Sequence, residues 1–212
     1  MLEKFRKCLS FVKEYTHVEN DGSYHWVLDT TEKDEKKLTL YFEWSNGKTD
    51  WRNNFKFLAI PWKPYKKQST LWLCHRGFLK VWKSIEPYIV DDILNPDIKI
   101  IDIVGYSHGG ALAQLCYEYV KFNRPDVEVT GVGFGAPRVF WGIARDDVKT
   151  RFKGFKVVRN GKDIVTHLPP AIFGYRHISE VVEIGESVGL IKDHLEDRYI
   201  EALTNLNKGE QK

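Results

Sequence analysis

The chain has 212 residues, of which 42% are hydrophobic and 29% are charged. It can therefore bury a sizeable core, and its composition excludes a disordered or low-complexity protein. Lysine and arginine exceed aspartate and glutamate by only three, which argues against a nucleic-acid-binding surface, and no apolar run approaches the ~18–20 residues of a membrane-spanning helix.

The amino-terminal segment is predicted to be an amphipathic helix that belongs to the fold. Leu2, Phe5, Leu9 and Val12 recur at helical spacing between lysines and glutamates. The segment has neither a continuous apolar stretch nor a small-residue cleavage site, unlike a signal peptide. We therefore expect a cytoplasmic location by default, with release by lysis or a non-standard export route as the alternative.

The first half of the chain alternates strand-like runs with polar and aromatic loops. Thr31–Lys37 is predicted to be a polar turn between two strand-like runs, and the alternating apolar residues of Leu38–Trp44 predict a strand. The basic tract Trp62–Lys67 favours a solvated loop over a contact with an anionic surface. Gly77–Tyr88 has helical spacing and carries Pro87 close to its end.

The second half has a clearer alternation of strands and helices. Ile98–Val104 is rich in β-branched apolar residues at both odd and even positions, which is typical of a strand buried on both faces. The elements predicted after it are a turn at Gly105–Gly110, helices at Ala111–Phe122 and Ile143–Phe152, strands at Val127–Phe134, Phe155–Arg159 and Glu180–Ile184, and a last helix from Asp193 to about Leu206. This order predicts a single α/β domain over residues 1–212, with a mainly parallel central sheet and helices on both faces.

A nucleophile motif stands between the most buried strand and the helix that follows it. Gly105, Ser107 and Gly109 form G-x-S-x-G, in which the serine occupies a strained strand-to-helix turn and the glycines let the backbone pass. The alternative is a glycine-rich turn that contains a serine by chance. The flanking strand and helix favour the nucleophile.

A serine hydroxyl needs a base and a carboxylate that orients the base. Asp163 follows a predicted strand and the Asn160–Gly161 turn, whereas Asp126 precedes a strand and Asp146 lies in a predicted helix. Asp163 is therefore the candidate carboxylate, with turn capping as its alternative role.

Three histidines follow Asp163. His167 is only four residues further on and His177 precedes the last strand, whereas His194 follows that strand and so lies at the same sheet edge as Ser107. His194 is the predicted base, and capping of the last helix is its alternative role. Asp193 is predicted to be the N-cap of that helix.

Six segments together resemble the class 3 lipase family, which comprises fungal-type triacylglycerol lipases of the α/β-hydrolase fold. They are LYFEWSNGKTDWRNNF, CHRGFLKVW, IIDIVGYSHGGALAQL, VGFGAPRV, VVRNGKDIVTHLPP and KDHLEDRYIEAL, which occur in family order over roughly residues 38–204. By motif position, the family triad falls on Ser107, Asp163 and His194.

The resemblance also implies an oxyanion hole, made by the backbone N–H groups of Ser45 and His108. The family motif F-R-G-[ST] reads FEWS here, with Glu43 and Trp44 in place of arginine and glycine. His108 stands where the family commonly has leucine after the nucleophile. A packed or solvent-facing His108 side chain is favoured over one that alters the electrostatics of Ser107 and His194. His75 matches a family position where histidine is structural.

The aromatic stretch after Ser45 has two open interpretations. Its residues either pack in the core or form the wall of an acyl pocket or a short lid. They include Trp51, Phe55, Phe57, Trp62 and Tyr65, and with Trp44 the first two are the candidate substrate-pocket residues. The segment is short and rich in lysine, so we expect no true lid.

The resulting hypothesis is a serine hydrolase of carboxylic esters, with a lipid or other small-molecule ester as substrate. No metal or organic cofactor is expected for such a hydrolase. Cys8, Cys74 and Cys116 lack CxxC spacing and fit reduced, apolar packing roles better than a disulfide framework or a zinc site. Transient contact with a lipid interface is allowed, nucleic-acid binding is not expected, and the sequence does not fix the oligomeric state. The alternatives are a non-catalytic α/β-hydrolase-like binding protein and an acyltransferase or phospholipase with the same triad.

Overall fold

The computed structural model describes residues 1–18, 22–30, 36–43, 59–62, 72–142 and 146–209. The strands within these ranges are β1 Thr16–Val18, β2 Gly22–Thr30, β3 Lys36–Phe42, β4 Ala59–Trp62, β5 Trp72–His75, β6 Ile98–Tyr106, β7 Glu128–Phe134, β8 Phe140–Trp141, β9 Phe155–Asn160, β10 Tyr175–Arg176 and β11 Glu180–Ile184. The α-helices are α1 Leu2–Ser10, α2 Arg76–Leu94, α3 His108–Asn123, α4 Asp146–Arg151 and α5 Glu196–Gly209.

The described strands form a large and a small sheet. The large sheet has the order β1-β2-β3-β6-β7-β9-β11; its strands from β3 to β11 are parallel, and β1 and β2 pair antiparallel at one edge. The small sheet has the order β10-β8-β5-β4 and is antiparallel. Because β6, β9 and β11 run parallel, the loops that follow them leave the same edge of the large sheet.

Helices cover both faces of the large sheet. On one face, α2 and α3 bury side chains such as Trp82 and Leu112 against Leu40 and Ile103. On the other face, α1 and α5 bury Phe5 and Tyr199. The predicted mainly parallel sheet with flanking helices is confirmed.

Several predicted boundaries were wrong. Helix α2 continues six residues past Tyr88 and contains Pro87; Ile89 and Ile93 are fully buried, so apolar burial outweighs the hydrogen bond that proline removes. Strand β6 continues through Tyr106 and α3 starts at His108, which shortens the predicted turn to Ser107.

Other elements also differ from the sequence prediction. Lys36 and Lys37 belong to β3 rather than to a turn, because their backbone pairs with both β2 and β6. The predicted helix Ile143–Phe152 is α4 followed by a 3-10 turn, Phe152–Gly154. The last helix starts at Glu196. No helix in the described part of the chain is long and apolar enough to cross a membrane.

Candidate active site

Ser107 occupies a strained turn between β6 and α3. Its φ is +53° and its ψ is −120°, and it is the one non-glycine residue with positive φ in the described ranges. A Cβ on Gly105 would lie 2.2 Å from the carbonyl oxygen of Gly109, and a Cβ on Gly109 would lie 2.1 Å from that of Phe42. The two glycines are therefore sterically required at this turn.

The structure brings Ser107, His194 and Asp163 into one hydrogen-bonded chain. His194 Nε2 lies 2.8 Å from Ser107 Oγ, and His194 Nδ1 lies 2.8 Å from Asp163 Oδ2. All three side chains are buried, and Asp163 is fully so. This arrangement can pass the serine proton to an imidazole whose tautomer the carboxylate sets.

Asp163 is fixed by further hydrogen bonds from neighbouring groups. Its Oδ1 accepts from the backbone N–H of Val165 at 2.8 Å, which caps the 3-10 turn Ile164–His167. Its Oδ2 accepts from the Tyr199 hydroxyl at 2.7 Å. The capping role that the sequence left as an alternative therefore coexists with the contact to His194.

Tyr106, the residue before Ser107, makes two contacts with His194. Its hydroxyl donates to the backbone carbonyl of His194, and the two rings are stacked with centroids 5.2 Å apart. Burial raises the pKa of Tyr106 and of Tyr199 above the usual range. Both hydroxyls thus stay protonated and act as donors to the His194–Asp163 pair.

His194 does not cap the last helix. It lies in a 3-10 turn, Lys192–His194, and α5 begins two residues later. Asp193 is not the N-cap of α5 either: its carboxylate accepts hydrogen bonds from Lys162, Ser187 and Val188. The predicted N-cap was wrong because the chain between Ile184 and Glu196 folds back over this carboxylate.

The other candidate histidines have different partners. His177 Nε2 lies 2.7 Å from the carbonyl oxygen of Thr166, and burial lowers its pKa to about 4. His167 Nε2 lies 3.3 Å from Arg159 Nη1; burial, followed by the charge of Arg159, lowers its pKa. His75 caps α2 by accepting from the N–H of Phe78.

Only one of the two expected oxyanion residues lies within the described ranges. His108 is the first residue of α3, where N–H groups point out of the helix, and its buried ring lies against Phe78 with centroids 5.5 Å apart. Ser45 lies outside the described residues. So do the candidate pocket residues Trp44, Trp51 and Phe55.

Sequence analysis missed a set of exposed apolar residues on the loops beside the site. Ile172 is 88% exposed and Ile191 is 76% exposed. The remaining large apolar side chains exposed on these loops are Phe173, Val188, Leu190 and Leu195. Ile172 and Phe173 lie between β9 and β10, on the segment that carries Asp163, and the other four lie between β11 and α5, on the segment that carries His194. Large apolar residues in these two segments were the signal available in the sequence. We call these six residues the apolar rim.

No cluster of three or more histidine, cysteine, aspartate or glutamate side chains in the described ranges could hold a metal ion. Cys8, Cys74 and Cys116 are buried free thiols, and burial raises the pKa of Cys8 to about 12.

Comparison with known proteins identifies the family of the chain. Residues 39–173 match the family model Lipase (class 3). A lipase of Rhizomucor miehei is 27% identical over 154 residues, which are 69% of this chain and 41% of the relative. A secreted mono- and diacylglycerol lipase of Malassezia globosa is 36% identical over 128 residues, which are 58% of this chain and 40% of the relative. The chain thus spans about two fifths of the curated relatives it matches.

A solved structure has the same fold. The Rhizomucor miehei lipase in its propeptide complex superposes with a TM-score of 0.70 at 20% identity, covering 86% of this chain and 66% of the other. The α/β-hydrolase fold that the sequence predicted is confirmed.

The expected cytoplasmic location was wrong, because relatives are named as secreted lipases. The expectation rested on the composition of the first residues. Those residues form α1 and bury Leu2, Phe5 and Cys8, so their composition reflects packing and carries no information about the compartment.

Proposed function

The chain belongs to the class 3 lipase family, and from this premise we propose that it is a serine hydrolase of carboxylic esters, acting on lipid esters. The observation that carries the proposal is the pair of 2.8 Å contacts that joins Ser107 to His194 and His194 to Asp163. We also propose that residues 1–212 act as one domain, since α1 and α5 pack together on the sheet.

In the first half of the proposed reaction, Ser107 Oγ attacks the ester carbonyl carbon while His194 Nε2 takes the hydroxyl proton. The tetrahedral intermediate collapses when the carbon–oxygen bond to the alcohol breaks, and His194 returns the proton to the departing alcohol. Water then attacks the acyl-enzyme by the same route and releases the carboxylic acid. Asp163 remains ionised and stabilises the imidazolium that forms in each half-reaction.

The developing oxyanion needs two donors. The backbone N–H of His108 at the start of α3 is the first, because it adjoins the nucleophile and lies at the positive end of the helix. We assign the second to Ser45 from the resemblance of FEWS to the family motif. Loss of one such donor lowers kcat by about 10²–10³-fold.

Two observations support a lipid ester as substrate. The apolar rim exposes large side chains on the segments that carry Asp163 and His194, and such an apolar surface suits contact with an acyl chain or a lipid interface. The two curated relatives are named lipases, one of them a mono- and diacylglycerol lipase. The names of secreted relatives also support an extracellular site of action.

Labelling and turnover test the proposal together. A fluorophosphonate should label the wild-type protein and not Ser107→Ala, whereas a non-catalytic binding protein would not label at all. Rates on p-nitrophenyl esters of rising chain length, a phospholipid and an emulsified triglyceride then define the substrate class. We expect short and medium acyl chains to react best, and a sharp rise in rate above the solubility limit would argue for a true lid.

Product analysis with added alcohol separates hydrolysis from acyl transfer. A hydrolase releases free acid as its main product, whereas an acyltransferase with the same triad forms a new ester. Accumulation of the new ester as the main product would contradict the proposal.

A further inference from the structure

A second buried carboxylate lies directly beside the proposed base. Asp193 is fully buried and accepts three hydrogen bonds. Its Oδ2 accepts from the Lys162 N–H at 2.9 Å and from Ser187 Oγ at 2.6 Å, and its Oδ1 accepts from the Val188 N–H at 2.8 Å.

The contact with Lys162 joins the loop that carries Asp163 to the loop that carries His194, whereas Ser187 and Val188 lie on the His194 loop itself. Lys162 is the neighbour of Asp163, and Asp193 is the neighbour of His194, so one carboxylate connects the flanks of both groups. One further contact joins the two segments: the Asn160 side chain, at the end of β9, donates to the Asp193 carbonyl at 3.0 Å. The Asp193 N–H donates to the Gly189 carbonyl at 2.8 Å within its own loop.

An ionised carboxylate suits this position better than an amide. Burial alone would raise the pKa of Asp193, but the hydrogen bonds from Ser187, Val188 and Lys162 lower it overall, so the group stays charged. All three partners donate, and a carboxylate accepts on both oxygens. An asparagine would present its NH₂ group to at least one of these donors and would lose that contact.

We propose that Asp193 is a positioning residue that sets the distance between His194 and Asp163 by clamping their loops together. This inference rests on the proposed function of the triad. Within the described residues, the Asp193 carboxylate is hydrogen-bonded to Lys162, Ser187 and Val188 rather than to Ser107. Its effect is therefore expected in kcat, because a displacement of about 1 Å in a catalytic group can cost about 100-fold in rate.

The test compares Asp193→Ala and Asp193→Asn with Glu186→Gln, which alters an exposed carboxylate on the same loop. On a soluble p-nitrophenyl ester, we expect Asp193→Ala to lower kcat by about 100-fold with KM nearly unchanged. Asp193→Asn should recover part of that loss, and Glu186→Gln should match the wild type. Fluorophosphonate labelling of Ser107 should slow in the same order.

Ser187→Ala keeps the test decisive if the Asp193 variants do not fold. It removes one donor from a partly solvent-exposed loop and should lower kcat modestly in a folded protein, as measured by circular dichroism. Unchanged kcat in folded Asp193→Asn would overturn the proposal, as would a rise in KM at constant kcat. If neither Asp193 variant folds and Ser187→Ala has wild-type kcat, the role is structural and the proposal is also wrong. Failure of the proposed function is distinct, because the wild type would then not exceed Ser107→Ala in the same assay.

Discussion

Gly135 offers a direct test of how tightly the His194–Asp163 pair is held. It has a φ of +55°, and a Cβ built on it would lie 2.9 Å from both Asp163 Oδ2 and His194 Cε1. Ordinary contacts require about 3.5 Å or more, so Gly135→Ala must displace the pair by roughly half an ångström or more. The pair cannot yield freely, because Asp163 Oδ2 also accepts from Tyr199 and the His194 ring also contacts Ser107.

We expect Gly135→Ala to lower kcat by about 10–100-fold, because small displacements of reacting groups carry losses of this size. Its positive φ should also cost about 1–2 kcal/mol of stability. Gly142→Ala is the matched control: Gly142 has a φ of +91°, and a Cβ there meets no atom of the described residues within 4 Å. Steady-state kinetics and urea unfolding measure both effects. Wild-type kcat in Gly135→Ala would refute the steric argument. An equal loss of kcat in Gly135→Ala and Gly142→Ala would show that backbone strain causes the loss.

Ser107→Ala should abolish ester hydrolysis with unchanged circular dichroism, and retention of more than about a hundredth of the activity would exclude Ser107 as nucleophile. His177→Gln should keep far more activity than His194→Ala, because His177 contacts Thr166 rather than the triad; an equal loss in a folded protein would contradict this. His177 should also make stability depend on pH: its folded pKa of about 4 lies below the ordinary 6.5, so the unfolded chain binds the proton first and stability is lost as the pH falls below 6.5. Urea unfolding should show that this group lowers the free energy of unfolding by about 2 kcal/mol between pH 7.5 and pH 5. If the free energy of unfolding depended on pH equally in His177→Gln, His177 would not be the group responsible. Glu118→Gln should destabilise the fold by about 3–5 kcal/mol, because Glu118 is fully buried and pairs with Arg151 at 2.6 Å, and urea unfolding within 1 kcal/mol of the wild type would refute this estimate.

The positions of the triad residues in the fold were predictable because local pattern and topology agree there. A strand buried on both faces precedes Ser107, and the order of strands puts Asp163 and His194 after parallel neighbours at the same edge. Neither inference needs a contact between distant side chains.

What the sequence did not predict depends on distant partners. The small sheet is made of strands of two to four residues. Neither the pairing of β8 with β10 nor that of β8 with β5 has a local signal in the sequence. The length of α2 depends on the burial of Ile89 and Ile93 beneath it. The role of Asp193 depends on the fold of the chain after β11, since only this fold brings Lys162, Ser187 and Val188 to one carboxylate.

The packing of α1 has a consequence for the stage of synthesis at which the candidate site can assemble. Phe5 lies against Tyr106 and Tyr199, with ring centroids 5.3 Å and 5.6 Å apart, and these tyrosines are the donors to His194 and Asp163. Phe5 therefore packs against a partner that is synthesised almost two hundred residues after it. Because contacts so far apart in sequence form slowly, a nascent chain should gain reactivity toward a fluorophosphonate only after α5 has emerged and docked on α1.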